Sequence, residues 1–266
     1  MAKRPKSQIG INLYNLRDYV KEPAQIAKTL KRVAKIGFKG VQASGLGPVD
    51  PADLRRMADD AGVAIIGAHI GVQMMRDDLS EVIDRLHTWD CRYVAIPSAP
   101  GEERQDAAGW RKLASEFSRI GRRLAKEGIT LQYHNHDFEF MKFGVRGGKG
   151  GRRGIDILYE QSDPEALQSE LDIGWVARAG ADPLAHVRSL KGRLDQVHVK
   201  DWGIVDRQPT WTPIGEGNLN WPPILKACRG AGTKYYIYEQ DNCPTNKDPF
   251  QAARISLEAL QELGLK

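Results

Sequence analysis

The stretch Leu131-Gln132-Tyr133-His134-Asn135-His136-Asp137-Phe138-Glu139-Phe140 decides how the chain is read. It has the form of a short strand running out into a cluster of ligand-type side chains. Alternate residues of a strand face one side, so His134 and His136 share a face, with Gln132 below them. Three later segments end in the same manner. Asp172 closes the strand in Ser169-Glu170-Leu171-Asp172-Ile173-Gly174-Trp175. His198 stands in Gln196-Val197-His198-Val199-Lys200-Asp201-Trp202, and Glu239 in Tyr236-Ile237-Tyr238-Glu239-Gln240-Asp241. This pattern predicts that His134, Asp172, His198 and Glu239 converge on one metal ion.

Outward from that stretch, apolar segments alternate with helical stripes along the whole chain. Strands are expected near 9–14, 39–43, 63–69, 93–97, 130–134, 169–172, 196–199 and 236–239. Between them lie helices with legible ends. Pro23 opens one that Gly37 stops, Asp50 and Pro51 start another that Gly62 stops, and Asp248 with Pro249 start the last. The clearest stripe is Trp110, Leu113, Phe117, Ile120 and Leu124. A long loop is expected around Trp211, Pro213, Gly215 and Gly217. Regular β-α alternation implies a parallel sheet, and eight units in 266 residues imply a closed (β/α)8 TIM barrel. No linker divides the chain, so 1–266 is read as a single domain with 1–7 as a disordered tail. In such a barrel the C-terminal ends of the strands form the active-site face, which is where the ligand-type residues stand.

Composition narrows the class. Hydrophobic residues are 41% and charged residues 27%, which suits a packed core. The formal charge of +5 is mild, part of it lies in the basic first six residues, and it argues little for a nucleic-acid partner. That tail is not followed by an apolar core of signal-peptide type, and no apolar run is long enough to span a bilayer. Cys91, Cys228 and Cys243 lack CxxC spacing and read as the thiols of a cytoplasmic protein. A small-molecule partner is expected, with no nucleic acid and no membrane, and the composition is compatible with a homo-oligomer.

Each ligand-type residue alone has a structural reading. A lone His is often a hydrogen-bonded structural group, Asp172 before Ile173-Gly174 can be a turn residue, and Glu239 or Asp241 can be solvated charges. Convergence of four such residues on successive strand ends favours the metal. Two imidazoles and two carboxylates suit Mn, Zn or Co better than Mg or Ca.

Tyr133 to Phe140, Leu171-Asp172-Ile173-Gly174-Trp175 with Ala179-Gly180-Ala181-Asp182-Pro183, Val197 to Trp202, Pro213-Ile214-Gly215-Glu216-Gly217 and Tyr238 to Asp241 together resemble the sugar phosphate isomerase/epimerase family, among the xylose isomerase-like TIM barrels. The resemblance runs in order through nearly the whole chain. It implies a metal-dependent barrel acting on a sugar, keto-sugar or polyol. Many relatives have Glu where His134 stands, so Glu139 of the same motif is an alternative carboxylate ligand, and relatives often have Glu where Gln42 ends the second strand. Members with the His-Asn-His form include enzymes that act on keto-glycosides by elimination or hydration.

The residues support proton removal next to a carbonyl. Glu239 is expected to touch the metal and act as base, and His136 to be the free acid/base. Lys200, two residues beyond His198, would steady an oxyanion or a substrate carboxylate, unless it is a snorkelling surface lysine. Tyr14 and His69 are candidates for substrate hydroxyls or for barrel packing, Glu139 for the substrate or the metal, and Trp175 and Trp202 for stacking on a sugar ring. The basic Gly-rich segment 142–154, with Arg146, Lys149, Arg152 and Arg153, fits no phosphate-loop motif and reads as a solvated loop or as a lid over an anionic sugar. The leading function is a metal-dependent sugar isomerase or epimerase, with a 3-keto-glycoside lyase or hydratase as the alternative. An apurinic-endonuclease-like nuclease is disfavoured because it needs more ligands than six His allow, and a non-catalytic sugar-binding barrel would lack the metal.

Overall fold

The eight expected strands form and close on one another. The computed structural model of the protein describes residues 7–144, 150–243 and 248–266. The strands are β1 (Ile9–Asn12), β2 (Gly40–Ala43), β3 (Ala64–His69), β4 (Tyr93–Ile96), β5 (Thr130–His134), β6 (Leu167–Asp172), β7 (Gln196–Val199) and β8 (Tyr235–Tyr238). All pairings are parallel and run in chain order, with β1 bonded to both β2 and β8. The chain is thus a (β/α)8 barrel.

The helices on the outside are α1 (Pro23–Ile36), α2 (Pro51–Ala61), α3 (Val72–Asp77), α4 (Leu79–Thr88), α5 (Ala107–Lys126), α6 (Gly154–Gln161), α7 (Ile173–Arg178), α8 (Pro183–Ser189), α9 (Trp221–Ala231) and α10 (Pro249–Glu262). Their ends follow local chemistry. Asp50 accepts from the amides of Ala52 and Asp53 ahead of Pro51, and Asp248 does the same for Phe250 ahead of Pro249. The stripe of α5 is fully used, with Trp110, Leu113, Phe117, Ile120 and Leu124 all buried against the barrel.

Inside the barrel the floor is tight. A Cβ on Gly10 or Gly40 would lie 2.5 or 2.7 Å from the Ile66 side chain, so those glycines make room for Ile66. Between β2 and β3 the register slips: Val41 faces Ile65, but Gln42 faces Gly67. Such a bulge re-aims the side chains beyond it. It lets Ile66 and His69, three residues apart, both reach the barrel interior.

Several boundaries differ from the sequence reading. The first strand ends at Asn12 because the Asn12 side chain accepts from the Tyr14 amide and starts a 3-10 turn, Leu13–Tyr19. A short helix, α3, precedes α4. The expected long loop after β7 begins instead as an antiparallel hairpin, Asp201–Val205 with Gln208–Thr212, turned at Asp206 and Arg207, both with positive φ. Of the expected tail, 1–6 lie outside the described residues, while Ser7 donates to the Lys266 carbonyl. Arg146 and Lys149 of the basic segment also lie outside them. Its flanks pair as a two-residue hairpin, Lys142–Phe143 with Arg152–Arg153, where Arg152 pairs with Glu160 and Arg153 with Asp156. Among the described residues no helix is long and apolar enough to cross a membrane.

Candidate metal centre

β5, β6, β7 and β8 end at one mouth of the barrel and deliver four side chains to it. Ligand atoms of His134, Asp172, His198 and Glu239 all lie within 4.8 Å of one another, and all four residues are buried. The local sequence explains the meeting. His134 stands level with Glu170 across β5–β6, and Asp172 level with His198 across β6–β7. Asn135, between the two histidines of the motif, ties the strand ends together by accepting from the Asp172 amide at 2.9 Å. The two oxygens of Asp172 part: Oδ1 caps α7 by accepting from the Trp175 amide at 2.8 Å, while Oδ2 faces the mouth. Glu239 is steered from the opposite side, its Oε1 accepting from Asn12 Nδ2 at 2.8 Å.

Lys200 is no surface lysine. β7 stops at Val199 and the hairpin starts at Asp201, so Lys200 turns inward at the junction and is fully buried. Its ammonium lies 3.0 Å from Asp172 Oδ2, 2.8 Å from Glu239 Oε2 and 2.9 Å from Asp241 Oδ2. Burial alone would discharge it, but the three carboxylates outweigh burial and hold it charged. The same balance sets its partners. Burial pushes Asp172 up to about 7, with Lys200 acting against it. Burial also works to raise Glu239, yet Lys200 and His198 hold it well below the usual carboxylate range. Burial opposes the charge on His198, but Glu170 and Glu239 carry it up to about 10. Burial, with the charge of His198, keeps His134 neutral.

Glu170 is the site residue that the sequence reading missed. Its Oε2 lies 2.6 Å from His69 Nε2, 3.3 Å from His198 Nε2 and 3.5 Å from His134 Nδ1. Its Oε1 accepts from Gln42 Nε2 at 2.5 Å. The signal was in the chain: Glu170 stands two residues before Asp172, so strand alternation puts it one layer below on the same face. A second group, His69, His134, Glu170 and His198, therefore also has ligand atoms within 4.8 Å of one another.

The remaining candidates divide between packing and the mouth. His69 is engaged with Glu170 through Nε2 and faces Ser44 Oγ through Nδ1 at 3.3 Å, so neither ring nitrogen is left for a substrate hydroxyl. Glu139 belongs to neither donor group. It is buried and accepts from Tyr133 Oη at 2.7 Å and the His136 amide at 2.8 Å, and burial pushes it up to about 7 against those bonds. His136 packs against His134, Phe138 and Trp175, with ring centroids 5.0, 5.4 and 5.1 Å away. Burial, helped by the charge of Lys200, pulls it down to about 4, so its ring is neutral at neutral pH. Trp175 and Trp202 both meet Trp211 edge to face, and the Arg178 guanidinium lies over all three rings. Tyr14 is exposed beside Arg17, a short way past the end of β1.

The donor set fits a divalent ion. Two imidazoles and two carboxylates are gathered in a buried pocket, and Asp172 Oδ2 is buried with no hydrogen-bond partner. The Lys200 ammonium is close to Asp172 Oδ2 but is not placed to donate to it.

Fold and site together define a (β/α)8 barrel with a candidate metal centre at the C-terminal mouth. The chain belongs to the family described as the xylose isomerase-like TIM barrel, whose model matches residues 30–263. Among curated proteins it is 23% identical over 260 residues to the inosose dehydratase of Lacticaseibacillus casei, covering 82% of each chain. It is 22% identical over 273 residues to that of Clostridium beijerinckii, covering 88% of each. Among solved structures it resembles a sugar phosphate isomerase/epimerase from Parabacteroides distasonis, with a TM-score of 0.81, 22% identity and coverage of 98% of this chain and 96% of that one.

Proposed function

We propose that the protein is a metal-dependent enzyme that moves a proton next to the carbonyl of a sugar, keto-sugar or keto-polyol, yielding an isomer or epimer. The observation that carries this reading is the meeting of His134, Asp172, His198 and Glu239 at the mouth with a neutral His136 beside them. A divalent ion held by those four residues would polarise a carbonyl and lower the cost of the charge left by proton removal. His136 is the acid/base. Its Nδ1 has no hydrogen-bond partner and its ring is uncharged, so it has a free lone pair for the moving proton. Glu239, held ionised and pinned by Asn12, is a ligand and a second base. Lys200 supplies a fixed positive charge next to the reacting oxygens, which suits an oxyanion. Trp175 and Trp202, with Trp211, give a sugar ring an aromatic wall, and Tyr14 stands as a further substrate contact.

A second reading is elimination of water or of a glycosidic leaving group from a keto-sugar. The relatives named inosose dehydratase support it, since dehydration also starts by removing a proton beside a carbonyl. One experiment addresses both. Ketoses, inososes, sugar phosphates and 3-keto-glycosides are incubated with protein and Mn, Co, Zn or Mg in deuterium oxide. Isomerisation or epimerisation returns a proton and so places solvent deuterium on the carbon next to the carbonyl, whereas elimination removes that hydrogen, expels water or the glycosidic group from the next carbon and leaves an unsaturated ketone. A saturated isomer free of solvent deuterium, with no unsaturated ketone beside it, would rule out this chemistry.

A further inference from the structure

Two groups of ligand-type atoms share His134 and His198, and a neutral imidazole has one lone pair to offer. Each ring therefore serves the upper group, with Asp172 and Glu239, or the lower group, with His69 and Glu170. The lower group holds a clue in Gln42. Its Nε2 lies 2.5 Å from Glu170 Oε1, and only the amide nitrogen, not the amide oxygen, makes a favourable contact with a carboxylate. That orientation turns Gln42 Oε1 to His198 Nε2, 2.8 Å away. A carbonyl oxygen only accepts, so Nε2 of His198 carries the proton. Nδ1, whose own partners are Glu239 Oε2 at 3.0 Å and Asp172 Oδ2 at 3.8 Å, is then the nitrogen that gives up its proton and offers its lone pair when an ion is held by those carboxylates. His134 is held more loosely, by facing charge rather than by a hydrogen bond. Its Nδ1 looks down at Glu170 Oε2, 3.5 Å away, and its Nε2 looks up at Glu239 Oε2, 4.0 Å away.

We propose that Glu170 and Gln42 are positioning residues that fix the ring protons of the two ligand histidines, so that a divalent ion is offered Nε2 of His134 and Nδ1 of His198, and that the lower group is not itself a metal site. Glu170 is the collecting acceptor: the imidazoles of His69, His134 and His198 and the Gln42 amide all turn a nitrogen to it. Partners of this kind, lying behind the ligands, set tautomer and ring orientation, and losing one typically lowers metal affinity about 10–100-fold. The inference rests on the metal reading of the upper group.

The test is nitrogen-15 NMR of imidazole-labelled protein loaded with Zn, together with Zn affinity by competition with a chelator. In the wild type, His198 should show a proton on Nε2 and metal on Nδ1, and His134 a proton on Nδ1 and metal on Nε2. Gln42→Leu, which has no acceptor, should bind Zn about 10–100-fold more weakly. His69→Gln, which still has a donor for Glu170, should retain the ion within a few-fold of the wild type. Metal on Nε2 of His198, or loss of Zn in His69→Gln, would overturn the proposal while leaving a metalloprotein. A wild type that binds no divalent ion would instead refute the metal reading and the proposal with it.

Discussion

At the scale of single residues, the site is governed by how burial and neighbouring charge compete. Lys200 shows this most plainly, as a charge set against buried Asp172 and Glu239 and half-buried Asp241. Lys200→Met keeps the bulk and removes the charge. It should destabilise the metal-free protein by about 3–5 kcal/mol, the usual effect of leaving a buried charge unpaired. A divalent ion should recover part of that loss, so the shift in urea midpoint on adding Mn should be larger in the variant than in the wild type. Equal shifts would mean that Lys200 and the ion do not share the carboxylates.

Glu139 gives a pH effect of defined sign. Its folded carboxyl is raised by burial to about 7 from 4.5, so the folded state holds the proton more tightly than the unfolded state. Its stabilising contribution is present below pH 4.5 and is lost as pH rises through 7, of the order of 3 kcal/mol over that window. Glu139→Gln, which keeps an acceptor for the His136 amide, should lack this component when unfolding free energy is measured between pH 4.5 and 8. The thiols obey the same physics: burial raises Cys91 and Cys228 to about 12, so only half-buried Cys243 should react with a thiol reagent before unfolding.

At the scale of elements, the segment after β7 owes its shape to Asp201. Its carboxylate accepts from the amides of Trp202, Gly215, Gly217 and Leu219 and from Trp221 Nε1, at 2.9 to 3.3 Å. The Lys-Asp pair in the motif thus divides the work: Lys200 faces the carboxylates at the mouth, and Asp201 anchors the hairpin that brings Trp202 and Trp211 alongside Trp175. Asp201→Ala leaves five donors unpaired. It should lower stability by roughly 2–4 kcal/mol and open 201–219 to limited proteolysis before the barrel unfolds. A protease-resistant variant of wild-type stability would show that the hairpin is held by its own ladder alone.

Which elements were legible in the chain has a physical explanation. Strand and helix periods, Asp-Pro helix starts and Gly stops are local signals, and the eight units came from them. The hairpin was not legible because its turn falls on Asp206 and Arg207, neither a glycine, with no hairpin dipeptide to mark it. The pairing of His69 with Glu170 was hidden for a similar reason. It depends on a register slip between β2 and β3, and pairing across strands leaves no mark in a single strand's pattern. Glu170 was legible by alternation from Asp172, but Gln42 as its partner was not, since 128 residues separate them.

At the scale of the whole molecule, closing the barrel brings β5 to β8 to one mouth and lays Gln42 of β2 and His69 of β3 beneath them. The upper layer then carries the candidate ligands and the lower layer the groups that aim them. If that division is correct, removing an upper residue should cost the ion and leave the fold. His198→Ala and Asp172→Ala should keep the far-UV circular dichroism of the barrel, while His136→Gln should keep the ion and lose turnover on the substrate found by the deuterium screen. The most direct measurement is the divalent metal bound per chain, after dialysis from Mn, Co or Zn, in the wild type beside Asp172→Ala and His198→Ala. Close to one ion in the wild type and a large loss in both variants is the expected result; a metal-free wild type, or full occupancy in both variants, would contradict a shared cation at the barrel mouth.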